Sequence, residues 1–188
     1  VQKSAGFFNI EKLNWTNKEH IKRLTFEEQC AYVERFMPSS ITTLPHYTRE
    51  GLLRIVPLLI DHITHFGEIA TLAERGEVAY YFEHPTYPRE GLFWKDDKDA
   101  EHTRQKLDKV TEILQKIPSD NFTAETIKDA LWGYASEAGK GNVLWPMRYA
   151  LSGRDKSPDP FTLAGVLGKD VTLERILLAQ QLLSTTSS

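Results

Sequence analysis

An all-α fold of two helical bundles in tandem is what this sequence predicts, on three observations. Apolar residues recur at three- and four-residue spacing in one segment after another, as in Leu107, Val110, Ile113, Leu114 and Ile117. Helix-start signals head several of these segments: Thr25-Phe26-Glu27-Glu28 has the form of a capping box, and Thr123 precedes a further apolar stripe. No stretch alternates apolar and polar residues for a convincing length, and no internal repeat stands out.

In chain order, Lys12 to Leu24 reads as two short helices anchored by Leu13, Ile21 and Leu24. Thr25 opens a helix whose buried stripe is Phe26, Cys30, Val33 and Phe36, and Pro38 to Pro45 is a Ser/Thr/Pro-rich loop. Leu52 to Phe66 is apolar enough for a central helix bent at Pro57. Glu68 to Arg75 and Glu77 to Phe82 follow as short helices around Gly76. His84 to Lys95, rich in Pro, Gly and aromatics, reads as a structured connection, so the expected units are 1–95 and 96–188. The second unit opens at Asp96 and contains the stripe at 107–117, then Ile127, Ala130, Leu131, Tyr134 and Ala138. A closing helix carries Leu173, Ile176, Leu177 and Gln180, and Ser184 to Ser188 reads as a disordered tail.

Composition bounds the function. The 188 residues contain no apolar run near membrane-spanning length and no visible signal peptide, which points to a cytoplasmic protein. A single cysteine, Cys30, reads as a small buried residue. The net charge of −3 argues against nucleic-acid binding by bulk attraction. From Gly139 onward, however, Lys and Arg outnumber Asp and Glu six to four, so any RNA contact is expected to be local.

The stretch from Gly139 to Gly168 organises these expectations. A helix is expected to begin near Trp145, with Pro146 at its first position and Arg148 in its first turns. A second begins at Ser157 or Asp159, each followed by a proline, and stops at Gly168. Two electropositive helix ends and the cations Arg148, Arg154 and Lys156 would then converge on one turn, a place for anions and polar base edges.

Pro146-Met147-Arg148, Ala150-Leu151-Ser152-Gly153, Ser157-Pro158, Leu167-Gly168-Lys169 and Arg175 resemble, in order and spacing, the C-terminal signature of bacterial and organellar glutamyl-tRNA synthetases. Phe8 to Asn17 resembles the segment that follows the catalytic domain in the same family. The resemblance spans nearly the whole chain and implies that the second bundle is an anticodon-binding helical domain as in these class I enzymes. It implies that Arg148 faces the anticodon, and that Ser157, Pro158, Asp159, Pro160 and Phe161 form the turn against its unstacked bases. Arg154 and Lys156 are then phosphate contacts, while Lys12, Trp15 and Asn17 contact the tRNA stem or the catalytic domain. No arginine lies in Leu58 to Phe66, where members that accept only glutamate tRNA often carry one, so strict rejection of glutamine tRNA is not implied.

Catalysis in that family needs HIGH-like and KMSKS-like motifs on a nucleotide-binding fold, and these 188 residues contain neither. The expected function is therefore tRNA recognition as the C-terminal part of a glutamate-tRNA ligase, without cofactor of its own; ATP and Mg belong to the parent's catalytic domain. Expected partners are tRNA(Glu), with tRNA(Gln) as a second candidate, and the catalytic domain, with the chain a monomer. The alternative is a helical protein-protein interaction module that has kept the fold. His62 and His65 stand three apart on an expected helix, but no further metal ligand stands at diagnostic spacing, so solvated or packed histidines are the simpler reading. Gly139-Lys140-Gly141 lacks the phosphate-loop pattern and reads as a helix-ending turn.

Overall fold

Local caps set where most elements begin. In the computed structural model, which describes residues 9–95 and 97–185, the Asn9 side chain accepts from the Lys12 amide at the head of α1 (Ile10–Arg23). Thr25 and Glu28 complete a reciprocal capping box on α2 (Phe26–Phe36). Thr48 caps α4 (Arg49–His62), which follows the one-turn α3 (Ser39–Thr42) and precedes α5 (Glu68–Glu74). Asp99 caps α6 (Ala100–Gln115) and Thr123 caps α7 (Ala124–Ala138). The remaining helices are α8 (Lys140–Ser152), α9 (Pro160–Leu167) and α10 (Lys169–Ser184). Among the described residues there is no strand, only an isolated bridge between Trp94 and Asp97, and no helix is long and apolar enough to cross a membrane.

The chain divides into Val1–Phe82 and Glu83–Ser188. In the first unit Val33, Leu52, Ile55, Val56, Ile69 and Phe82 are buried together. In the second, α6, α7, α8, α9 and α10 enclose Leu107, Leu114, Leu131, Met147, Leu151 and Ile176. The division falls at 82/83, earlier than the 95/96 break read from composition. Residues 84–95 pack with the second unit: Arg89 donates to Leu183 O and Thr185 O, and the Trp145 indole donates to Gly91 O.

Several helix ends are closed by cations from distant parts of the same unit. Lys18 Nζ donates to Asp61 O near the end of α4, and Lys169 Nζ to Gln115 O and Ile117 O at the end of α6. Arg89 does the same for α10, and Arg175 donates to Leu151 O near the end of α8. Each supplies donors to carbonyls that have no partner within the helix and places a positive charge at the negative end of its dipole.

Some expectations are corrected. Lys12 to Leu24 lies on one helix and a short linker, not on two helices, and the 38–45 loop contains the single turn α3. Glu77 to Phe82 holds only a 3₁₀ turn, Ala79–Tyr81, and the helix through Pro57 ends at His62. Leu13, Phe26, Phe36 and Leu177, expected in the core, are exposed. Phe8, Asp96 and the tail beyond Thr185 lie outside the described residues.

Lys106 donates to Asp97 at the start of the second bundle. That hydrogen bond, acting against partial burial, holds the Asp97 carboxyl below its ordinary range. The folded value is the lower one, so the stabilisation is present above the ordinary aspartate range and is lost as pH falls through the folded value. Asp97→Asn is expected to cost roughly 1 kcal/mol at neutral pH, with its unfolding free energy converging on that of the unsubstituted chain below about pH 4.

Candidate nucleic-acid interface

Helix α8 is longer than its proline suggested. It starts at Lys140 and runs through Pro146, so the expected start near Trp145 is corrected. Val143, Met147, Ala150 and Leu151 are fully buried at helical spacing, and packing this stripe outweighs the hydrogen bond that Pro146 cannot donate. Arg148 therefore sits toward the C-terminal end of α8 rather than in its first turns. The second expectation holds in its Asp159 form: α9 starts at Pro160 and Gly168 ends it with φ of 82°. The turn between 152 and 160 thus joins the C-terminus of one helix to the N-terminus of the next, not two N-termini.

Arg148 is half-buried and spread over the Trp145 ring, its Cζ 4.7 Å from the ring centroid. Its Nη2 donates to Asp155 O at 2.9 Å, beyond the helix end. The guanidinium is thus fixed across the 153–158 turn by a carbonyl and an indole face, leaving other donors of its fork for a ligand.

Ser152, only 1% exposed, ties the turn to the same helix. Its hydroxyl donates to Arg148 O at 2.9 Å, accepts from the Arg154 amide at 3.3 Å, and lies 3.2 Å from Ser157 Oγ. Gly153 takes the left-handed conformation at φ of 65°, and a Cβ there would lie 2.9 Å from that of Pro85, so only glycine turns the chain here without strain. Below it the Tyr87 and Tyr149 rings meet edge to face, and burial pushes the Tyr87 phenol up to about 12.

The residues expected to contact the anticodon divide into two groups. Arg148, Ser157 and Pro158 are half-buried and Asp159 is exposed. Asp159 is occupied as a cap: Oδ1 accepts from the Phe161 and Thr162 amides, and Oδ2 from the Thr162 hydroxyl. Pro160 and Phe161 are buried, Phe161 at 8% exposure with its ring 6.5 Å from that of Trp132. The first turn of α9 is set into the apolar interior, and that removes them from solvent. Arg154 is half-buried and Lys156 exposed on the same turn.

Lys12, Trp15 and Asn17 lie on α1 of the first unit. Trp15 is 67% exposed, and Asn17 lines a hollow of about 560 Å³ with His20, Arg23, Tyr32 and Phe66. His62 Nδ1 lies 3.0 Å from Leu58 O and His65 lies 4.0 Å from Glu68, so each has a local partner.

Residues 7–179 match the family described as the anticodon binding domain. The chain belongs to that family. This anticodon-binding domain is 33% identical over 189 residues to a glutamate–tRNA ligase of Chloroherpeton thalassium and 31% identical over 185 residues to one of Clostridium tetani, covering 94% of the chain in both. It spans 35% and 34% of those two proteins, about a third of their length. A solved glutamate tRNA ligase of Elizabethkingia meningosepticum shares the fold, with a TM-score of 0.68, 23% identity, and coverage of 96% of this chain and 34% of that one.

Sequence reasoning gave no role to Ser152, Arg175 or Trp132. Ser152 had a local signal, since a serine four residues after an arginine on a helix can bond back to its carbonyl. Arg175 and Trp132 owe their positions to packing between helices and carry no comparable local signal.

Proposed function

We propose that the second unit reads the anticodon of glutamate tRNA as part of a glutamate-tRNA ligase. The observation that carries this is the placement of Arg148, stretched over Trp145 and across the Ser157 turn with donors to spare. A guanidinium held this way offers paired donors to a splayed base edge, and the half-buried Ser157 and Pro158 supply polar and apolar contact beside it. The buried hydroxyl of Ser152 keeps the turn and the arginine's own helix in register, so the donors are oriented before RNA arrives. Arg154 and Lys156 serve the phosphates of the same loop. In the first unit Lys12, Trp15 and Asn17 contact the tRNA stem or the ligase's catalytic part. ATP and Mg belong to that catalytic part, and no residue of this chain is assigned to them. The protein works as a cytoplasmic monomer.

Titration of the chain with glutamate tRNA transcripts carrying the natural or an altered anticodon tests the reading. The natural anticodon is expected to bind more tightly, and Arg148→Ala to weaken that complex by roughly 1–3 kcal/mol, the scale of a bidentate base contact. The same substitution should leave the altered transcript nearly unaffected. Equal binding of both transcripts would rule out anticodon reading and favour a helical protein-protein module.

A further inference from the structure

Trp132, on the outer face of α7, is 42% exposed. Two lysines stand over its ring: Lys140 Nζ lies 4.1 Å from the centroid and Lys128 Nζ 5.5 Å. They come from different helices, Lys128 from one turn earlier on α7 and Lys140 from the first position of α8. Among the described residues neither lysine has a carboxylate within ion-pair distance, whereas Lys22, Lys106, Lys109 and Lys116 each have one. Two cations left to an aromatic face, with no acid between them, are arranged for a ligand that is both flat and anionic. The position adds to this: Phe161, in the first turn of α9, has its ring 6.5 Å from that of Trp132. The indole therefore lies beside the first turn of α9, the helix that follows the turn Arg148 spans.

We propose that Trp132 is a stacking platform for an unpaired nucleotide of the RNA, and that Lys128 and Lys140 hold the phosphates on either side of it. This rests on the reading of the second unit as an anticodon binder and adds a second contact to it. In the free protein the ammonium groups occupy the π face; when a base arrives they swing on their four-carbon stems toward the backbone, and the base takes the face. Stacking of this kind tolerates any base, so Trp132 contributes affinity and holds the loop open, while Arg148 discriminates. Phe161 itself is buried, whereas the neighbouring indole offers an aromatic surface that a base can reach.

The test uses the full chain and a fluorescently labelled anticodon stem-loop of glutamate tRNA, together with stem-loops lacking one loop base at a time. Trp132→Leu is expected to weaken binding of the intact stem-loop by at least about fivefold, with Trp132→Phe in between. With one of the abasic stem-loops Trp132→Leu should cause no further loss, which identifies the stacked base. Lys128→Ala with Lys140→Ala should flatten the dependence of log affinity on log salt by about 0.7 for each phosphate contact removed. If Trp132→Leu and Trp132→Phe bind like the unsubstituted chain while Arg148→Ala is weakened, the platform is wrong and anticodon reading stands. If the unsubstituted chain fails to bind the stem-loop at all, anticodon reading itself is wrong and the platform falls with it.

Discussion

Arg175→Met is expected to destabilise the second unit by about 2–4 kcal/mol, read as a lower urea midpoint at unchanged slope. The side chain is 2% exposed and donates to Leu151 O at the end of α8 and to Glu83 O at the start of the unit. Burying a guanidinium is costly, so methionine, which keeps much of the stem volume, relieves one unfavourable term. It does not relieve the others. The buried Leu151 carbonyl and the partly exposed Glu83 carbonyl lose charge-assisted donors, and loss at the buried one alone costs about 1–3 kcal/mol, so the net sign is destabilising. The effect should extend to binding, because Leu151 directly precedes Ser152, whose hydroxyl aligns Arg148 with the Ser157 turn. Arg175→Lys restores one donor and should recover part of the midpoint. An unchanged or raised midpoint for Arg175→Met would mean that relief of desolvation outweighs both carbonyls.

What the sequence disclosed follows the range of the interactions concerned. The caps at Thr25, Thr123 and Asp159 and the stop at Gly168 were legible because each depends on a few consecutive residues. The start of α8 was not. Proline at a first helical turn is a local preference, while the buried stripe through Val143 and Met147 is a tertiary gain that exceeds it. Periodicity found the helices but not always which apolar residue a neighbour covers: Phe26 and Leu177 fit their stripes and are exposed. Composition likewise marked 84–95 as a connection, although Arg89 and Gly91 bind it to the second unit. Within the site, Arg148 and Ser157 were named from their motif and are brought together by Ser152. Pro160 and Phe161 came from the same motif and are buried at the start of α9, a depth that the motif does not disclose.

Gly141→Ala and Gly133→Ala are expected to move stability in opposite directions, although both glycines are within helices, where alanine is normally favoured by about 1 kcal/mol. At Gly133 a new Cβ meets nothing within 4 Å, so the helical preference should appear in full and raise the melting temperature. At Gly141 it would fall 2.1 Å from the Trp94 Nε1 and 2.4 Å from Cε2, so the indole must move. Trp94 cannot move alone. Its ring lies 5.3 Å from that of Trp145, whose indole donates to Gly91 O and whose face carries Arg148. Displacing this stack is expected to cost about 1–3 kcal/mol, more than the helical preference returns. It should also weaken RNA binding, because Arg148 loses the surface that orients it, and Gly133→Ala should leave binding unchanged. Thermal unfolding and stem-loop titration of the two variants together check this. If Gly141→Ala proves as stabilising as Gly133→Ala and binds RNA normally, the Trp94–Trp145 stack does not hold Arg148 in place.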